Sequence, residues 1–178
     1  MTESVPAPVV SGEITQRTRV AAYVVCIVEG RILLTRYVHH DDRHWTLPGG
    51  GLDHAEHPHD AAVREFAEET GFAVQLDRLL GIGSQQRRIA PRPPQGSPLD
   101  LHTVQIYYSG HIVGGELRHE TNGSTDQAAW FELGKIPVLL RAPIVDVGLE
   151  LLATAPADGT VPAARRIDPT VRGPKPTA

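Results

Sequence analysis

The chain has 178 residues, 40% of them hydrophobic, and a formal net charge of −4. That length suits one domain with a sizeable core, and the charge excludes broad electrostatic attraction to nucleic acid or to an anionic membrane. The single cysteine, Cys26, excludes a disulfide framework, so we expect a reducing, cytoplasmic environment and a thiol packed in a core strand.

The two ends of the chain differ in composition from its middle. Residues 1–18 contain two prolines and no apolar segment, which predicts a flexible N-terminal segment rather than a secretory signal or a membrane span. Residues 154–178 are rich in proline and lack aromatic residues, which predicts a tail that cannot fold alone but could lie across the body or a partner chain. We expect the folded domain over residues 19–153.

Strand patterns dominate the first part of this domain. Residues 19–28 and 31–38 are largely apolar and β-rich, and the Glu29-Gly30 turn signal between them predicts a hairpin or two adjacent strands. The sequence HHDDRH over residues 39–44 indicates a polar loop, and WTLP then forms a short extended piece.

The next predicted element is a helix that begins at a proline and ends before a glycine, and further strands and a second helix follow it. Pro58 suits the first turn of a helix and Gly71 suits its C-terminal cap, so we predict a helix over 58–70. Strands are predicted from Val74 into residues 81–86, over residues 102–113 and at AAWFEL, and a second helix at APIVDVGLELLA. Strands interleaved with two helices indicate an α/β or α+β fold with a mixed sheet.

The first predicted helix carries a concentration of carboxylates. Glu65, Glu68 and Glu69 stand at helical spacings i, i+3 and i+4, so they share one face, while Ala62, Val63, Phe66 and Ala67 can pack on the sheet. Like charges at this spacing repel, and the macrodipole disfavours an anion near the helix C-terminus. A solvated acidic face is the ordinary explanation. A hard divalent cation, Mg²⁺ or Mn²⁺, would instead remove the repulsion.

The segment from Gly50 to Phe72 resembles the Nudix box of the Nudix (MutT-like) hydrolases, G-x5-E-x7-R-E-U-x-E-E-x-G-U, where U is a bulky apolar residue. Every fixed position of the motif is filled, by Gly50, Glu56, Arg64, Glu65, Phe66, Glu68, Glu69, Gly71 and Phe72. The resemblance implies the Nudix fold, an α/β/α sandwich with a mixed β-sheet. It also implies hydrolysis of the pyrophosphate linkage in a nucleoside diphosphate joined to another moiety.

The resemblance also implies roles for individual residues. Glu65, Glu68, Glu69 and the carbonyl of Gly49 would bind Mg²⁺ or Mn²⁺, with Glu65 and Glu69 acting in catalysis. Arg64 would position the box glutamates. Glu56 would be structural or a water-mediated ligand, and Gly50 and Gly71 would permit turns that a Cβ would obstruct. The general base is open among four acids, namely Glu65, Glu116, Glu120 and Asp126.

The substrate is less clear from the sequence than the reaction class. Nucleoside triphosphates and ADP-ribose-like compounds are level candidates, with Trp45, Arg87 and Asp126 as candidate substrate contacts. The long proline-rich loop over residues 90–98 suggests a substrate lid or a contact in a homodimer. A zinc site among the histidines between His39 and His59 is a minor alternative that stays open, since most of these histidines lie in predicted loops rather than on a helix.

Two non-hydrolytic alternatives use the same fold. Degenerate glutamates or an appended DNA-binding domain would favour a nucleotide-sensing module, and the sequence shows neither. A related isomerase would need a catalytic thiol, for which Cys26 in an apolar strand is a poor candidate.

Overall fold

The computed structural model describes residues 14–39, 42–89, 97–120 and 123–166. The strands are β1 Thr15–Val25, β2 Ile27–Val28, β3 Arg31–His39, β4 Asp42–Thr46, β5 Gly49–Gly51, β6 Phe72–Ile89, β7 Leu99–Gly115, β8 Thr125–Glu132 and β9 Arg165–Arg166. The helices are α1 Pro58–Thr70 and α2 Pro143–Thr154, and 3₁₀ turns cover Leu133–Val138 and Pro162–Ala164.

The strands form two sheets. The larger sheet has the order β5-β1-β7-β6-β9, in which β1 runs parallel to β7 and β6 parallel to β9, while the other pairs are antiparallel. In the smaller sheet β3 pairs with β2, β4 and β8, all antiparallel. The predicted α/β class with a mixed sheet is confirmed.

A helix covers each face of the larger sheet. On β1, Ala22 and Val24 belong to a core cluster with Phe66 of α1, whereas Val25 belongs to a second cluster with Leu151 of α2. Successive strand residues point to opposite faces, so β1 contributes to both clusters. The result is a sandwich in which α1 lies on one side of the sheet and α2 on the other.

The predicted turn at Glu29-Gly30 is present between β2 and β3. Both residues have positive φ, 50° and 75°, as a tight hairpin turn requires. Cys26, between β1 and β2, is fully buried, and this burial raises the pKa of its thiol to about 11. The thiol is therefore a core side chain, as the sequence indicates.

The prediction of a polar loop over residues 39–44 is wrong for most of its length. Residues from Asp42 form β4, which pairs with β3 from His39↔Asp42 to Thr35↔Thr46. Cross-strand pairing supplies the order that the local composition did not predict. The ring of His44 packs against the ring of Tyr37, with centroids 5.1 Å apart.

Strands β6 and β7 extend beyond their predicted ends, because they pair with each other as far as Ile89↔Leu99. Most of the proline-rich loop, residues 90–96, lies outside the described residues. The part of the tail that the structure describes lies against β6. Val161 and Ala164 are buried, and β9 pairs with Ser84 and Gln85.

Neither helix in the described ranges has the length and apolar character needed to cross a bilayer.

Candidate active site

Helix α1 has the bounds that the sequence predicts, and its caps explain them. Pro58 occupies the first turn, and the side chain of the N-cap residue His57 accepts a hydrogen bond from the His59 amide at 3.2 Å. At the other end, Gly71 adopts the left-handed conformation at φ 76°, and its amide donates to the Ala67 carbonyl. A Cβ on Gly71 would collide with the backbone oxygen of Glu116.

The buried face of α1 differs in one respect from the prediction. Ala62 and Phe66 are fully buried and Val63 packs against them, but Ala67 is exposed. Glu69 takes the buried position instead, with an exposed fraction of 4%. At about 100° per residue, Glu69 lies roughly 60° from Phe66 around the helix axis and Ala67 about 100° from it, so the spacing itself contained this signal.

Two donors hold the buried carboxylate of Glu69. Its Oε2 accepts a hydrogen bond from the Gly49 amide at 2.9 Å and another from the Thr35 hydroxyl at 3.2 Å. The pKa of Glu69 is raised to about 8, mainly by burial. The nearby charges of Glu65 and Glu120 also raise it, and the two hydrogen bonds oppose the rise. A charge at this position is poorly compensated by the protein alone.

Arg64 links three acidic side chains. Its guanidinium donates twice to Glu56, at 2.8 Å each, and from Nη1 to Glu65 at 2.9 Å and to Glu68 at 3.2 Å. The Arg64 hydrogen bond is the main reason that the pKa of Glu56 falls to about 2. Burial raises the pKa of Glu65, although the Arg64 hydrogen bond opposes that shift. Such a network is what a positioning role for Arg64 would require, and that role stays a prediction.

Glycines of β5 allow close approach to these carboxylates. Gly49 has φ 137°, a conformation that side chains rarely adopt, and a Cβ there would collide with the Ala22 carbonyl. A Cβ on Gly50 would lie 2.5 Å from Glu65 Oε2. The two glycines therefore bring the backbone against Glu69 and Glu65 respectively.

The three carboxylates on α1 do not converge on one point. Glu68 is half-exposed and turns toward Arg64, while Glu69 turns toward Gly49. Accordingly, within the described ranges no three side chains of His, Cys, Asp or Glu are grouped so that they could hold a metal ion. The helix spacing places the glutamates on one side, and competing donors then direct their side chains apart.

A cleft of about 240 Å³ adjoins Glu65 and Glu69. Its walls come from both sheets and from the start of α2. The lining residues are Arg19, Tyr23, Tyr37, His44, Thr46, Gly49, Gly50, Glu65, Glu69, Gln85, Arg87, Leu101, Thr103, Gln105, Ser124, Thr125, Ala142 and Ile144. Arg87, a predicted substrate contact, is among them.

Several lining residues were not singled out from the sequence, notably Arg19, Tyr37 and Gln85. Their position depends on how distant strands pair, which composition does not reveal. For Tyr37, the available signal was the alternation of side chains along β3. Tyr37 lies two residues after Thr35, so both side chains are on the same face, and Thr35 donates to Glu69.

The other predicted substrate contacts, Trp45 and Asp126, do not line this cleft. The Trp45 ring packs edge-on against Phe131, with centroids 4.5 Å apart. Both carboxylate oxygens of Asp126 accept hydrogen bonds from Arg36, at 2.8 and 2.9 Å, and this pairing lowers the pKa of Asp126. Asp126 is thus engaged in an ion pair between β3 and β8.

Glu120, a candidate base outside α1, lies close enough to Glu69 for its charge to act on that carboxyl group. Its Oε2 accepts hydrogen bonds from the Thr125 hydroxyl at 2.6 Å and from the Thr125 amide at 3.3 Å. Thr125 lines the cleft, and the charge of Glu120 contributes to the raised pKa of Glu69.

The chain matches the family model of the NUDIX domain over residues 17–153. It belongs to the Nudix family. Among solved structures, it is similar to a NUDIX hydrolase from Nitrosomonas europaea, with a TM-score of 0.61, 22% identity and coverage of 82% of this chain and 93% of the other. A MutT NUDIX hydrolase from Burkholderia pseudomallei gives a TM-score of 0.56 at 27% identity, covering 76% and 98% of the two chains.

Curated Nudix relatives match shorter stretches. The ADP-ribose pyrophosphatase of Methanocaldococcus jannaschii is 33% identical over 95 residues, 53% of this chain and 50% of that protein. A putative ADP-ribose pyrophosphatase of Bacillus subtilis is 31% identical over 111 residues, 62% and 49% of the two chains. The mouse diphosphoinositol polyphosphate phosphohydrolase 3-alpha is 44% identical over 59 residues, 33% and 35% of the two chains. The matches to the first two relatives span about half the length of those proteins.

Proposed function

We propose that this Nudix protein is a divalent-metal-dependent hydrolase that cleaves the pyrophosphate linkage of ADP-ribose-like nucleoside diphosphate derivatives. One observation carries the proposal. Glu65 and Glu69 face a common cleft beside Gly49 and Gly50, with burial raising the pKa of both carboxyl groups. Two desolvated carboxylates with raised pKa values in a cleft are an arrangement typical of a reactive site.

The donor set fits Mg²⁺ or Mn²⁺. Both ions prefer oxygen ligands, and Glu65, Glu68, Glu69 and the Gly49 carbonyl would supply them. Glu68 is half-exposed and would have to turn from Arg64 toward the cleft, whereas Glu69 is already fixed by Gly49 and Thr35. When bound, the ion neutralises phosphate oxygens and makes water a better nucleophile.

The chain's own residues orient these groups and handle the proton. Arg64 holds Glu65 from one side, so that Glu65 keeps a single orientation toward the cleft. Glu65, which lines the cleft, and Glu120, whose partner Thr125 lines it, are our two candidates to accept a proton from the attacking water. Glu120 is itself oriented by Thr125. In the cleft, Tyr37 and His44 provide an aromatic wall for a base or a sugar.

The choice of an ADP-ribose-like substrate has two supports. Two curated relatives are named as ADP-ribose pyrophosphatases, one of them putatively. In addition, Asp126, the residue that would read the base of a nucleoside triphosphate, is engaged by Arg36. A diphosphoinositol polyphosphate is the second candidate, favoured by the 44% identity to the mouse relative over 59 residues. The bond cleaved would again be a phosphoanhydride.

A hydrolysis screen that separates and quantifies the products by chromatography tests the proposal. Wild type and Glu69→Gln would be compared on ADP-ribose, nucleoside triphosphates, dinucleoside polyphosphates and a diphosphoinositol polyphosphate, with Mg²⁺, Mn²⁺ or Zn²⁺. We expect ADP-ribose turnover with Mg²⁺ or Mn²⁺ that falls by about 100-fold or more in the variant, because a charged ligand is lost. Equal, negligible turnover of every compound by both proteins would contradict the proposal and favour a sensing role.

A further inference from the structure

The third glycine of the LPGGGLD sequence has no role in the Nudix box, but it has one in the structure. A Cβ on Gly51 would lie 2.9 Å from both Nε and Nη2 of Arg19. The Arg19 guanidinium therefore packs against the bare backbone of β5, and any larger residue would displace it. Arg19 lines the cleft that contains Glu65, and its charge opposes the burial that raises the pKa of Glu65.

The three glycines of β5 thus adjoin three charged side chains in turn. Gly49 donates to Glu69, Gly50 makes room for Glu65, and Gly51 makes room for Arg19. A strand advances about 3.3 Å per residue, so the acidic and basic groups are spread over roughly 7 Å along its axis. All three side chains line one cleft, so the charge along its wall changes from negative to positive over a short distance.

Strand register extends the positive end of this cleft. Arg19 of β1 is paired with Thr103 of β7, and Thr103 is paired with Gln85 of β6. These three side chains form a row across neighbouring strands, and all of them line the cleft. Arg87 lies two residues beyond Gln85 on the same side of β6 and lines the cleft as well.

A buried hydrogen-bond chain fixes which end of Gln85 faces the cleft. The Tyr107 hydroxyl donates to Gln105 Oε1 at 2.9 Å, and Gln105 Nε2 then donates to Gln85 Oε1 at 3.4 Å. Burial raises the pKa of Tyr107, which keeps the hydroxyl protonated and able to donate. The acceptor atom of Gln85 is used in this chain, so its amide nitrogen remains to donate to a ligand.

We propose that Arg19, Thr103 and Gln85 form a phosphate-binding row that holds the phosphoryl group next to the one associated with Glu65 and Glu69. The row offers a guanidinium, a hydroxyl and an oriented amide, all of which can donate to phosphoryl oxygens. Gln105 and Tyr107 are positioning residues that act through Gln85. The diphosphate ligand rests on the proposed function, whereas the row rests on the strand register and on the residues that line the cleft.

Calorimetric binding of the α,β-methylene analogue of ADP-ribose, with Mg²⁺ present, separates this inference from the proposed function. We expect Arg19→Met and Gln85→Met each to raise Kd by about tenfold, as loss of a charge-assisted hydrogen bond implies. Gln85→Glu, which places a carboxylate against the phosphate, should weaken binding more than Gln85→Met. Tyr107→Phe should raise Kd by a smaller factor, because Gln105 can then rotate.

Two controls match these variants. Arg17→Met removes a guanidinium from the same strand outside the cleft lining, and Gln75→Met removes an exposed amide from β6; both should bind the analogue like wild type. Mn²⁺ affinity measured without nucleotide should be unchanged in Gln85→Met, which alters no charge. With hydrolysable ADP-ribose as the substrate, KM should rise in Arg19→Met and Gln85→Met while kcat stays within about threefold.

Wild-type affinity in Arg19→Met and Gln85→Met, equal losses in the controls, or no binding of the analogue by wild type would each overturn the row. Thermal unfolding of every variant identifies losses of affinity that come from misfolding. Gln85→Glu then distinguishes phosphate binding from a packing effect, since the result of this substitution depends on charge. Binding without any hydrolysis of ADP-ribose would instead refute the proposed function and leave the row intact.

Discussion

Glu69 is an acidic side chain removed from water near the C-terminal end of a helix, where the macrodipole also disfavours a negative charge. Among the residues that the structure describes, Gly49 and Thr35 are the two that donate to it, and these hydrogen bonds do not offset the free energy that opposes its ionisation. Such an arrangement is understandable in a protein whose function supplies a cation at that point.

Stability should therefore depend on pH in a particular direction when metal is absent. The folded protein keeps the Glu69 proton up to a pKa of about 8, whereas the unfolded chain loses it near the ordinary value of 4.5. The folded state binds more protons between these values, so the free energy of unfolding should fall as pH rises, by up to a few kcal/mol. Urea unfolding in EDTA from pH 5 to pH 9 measures this trend.

Glu69→Gln provides the control for that experiment. The variant cannot ionise, so its stability profile should be flatter than that of wild type between pH 5 and pH 8. Added Mg²⁺ should recover stability in wild type at pH 8 but not in the variant. Parallel profiles for the two proteins would show that another group is responsible.

Arg64 should be more sensitive to substitution than its partly exposed position suggests. Lysine keeps the charge but lacks the planar guanidinium that donates twice to Glu56 and, from a third nitrogen, to Glu65. We expect Arg64→Lys to lower turnover by about 10- to 100-fold while the fold persists, because orienting residues around ligands have effects of that size. Steady-state kinetics with circular dichroism would test this, and near-wild-type turnover would argue against an orienting role.

At the scale of elements, local signals set the bounds of helix α1, together with the left-handed conformation of the residue that follows it. Pro58 and Gly71 define its bounds, and the strands around it supply Gly49 and Thr35 for Glu69. The C-cap is the element's weak point, because its φ of 76° and the nearby Glu116 carbonyl both require glycine.

Gly71→Ala should destabilise the protein by about 1–3 kcal/mol, from strain at positive φ and from displacement of the segment carrying Glu116. Gly134 offers a matched comparison, since a Cβ there would meet nothing within 4 Å and its φ is not positive. Thermal or urea unfolding of Gly71→Ala and Gly134→Ala would compare the two. Equal stability would show that the cap is not under strain.

At the scale of the whole molecule, the segment after α2 extends the folded body to Arg166. Val161 and Ala164 enter the core cluster that contains Leu151, and the Gly159 carbonyl accepts from the Ile82 amide at 2.9 Å. Gly81 approaches Gly159 so closely that a Cβ on Gly81 would collide with the Gly159 oxygen. We therefore propose that the structural domain ends later than residue 153.

Removing this segment should expose the core. A chain that ends at residue 153 loses the burial of Val161 and Ala164 and should unfold at least several degrees below a chain that ends at residue 166, since burying one valine contributes about 1.5–3 kcal/mol. Val161→Ala in the longer chain should show an intermediate loss. Equal melting temperatures for the two chains would place the segment outside the folding unit.

The sequence predicted what local pattern determines. The box, the bounds of α1, the turn at Glu29-Gly30 and the α/β class all depend on residues close together in the chain. Strand β4 was missed because its pairing with β3, not its polar composition, makes it a strand. The positions of Arg19 and Gln85 depend on the register of three strands far apart in sequence, which no local pattern encodes.

The proposed function requires that the glutamates of α1 hold a divalent cation in the cleft beside Gly49. Titration of Mn²⁺, followed by the loss of its free paramagnetic signal, tests it most directly in wild type, Glu65→Gln, Glu69→Gln and the exposed control Glu132→Gln. We expect saturable binding in wild type and in the control, and affinity at least about tenfold weaker in Glu65→Gln and Glu69→Gln. Equal affinity in all four proteins, or no binding in any of them, would contradict the claim.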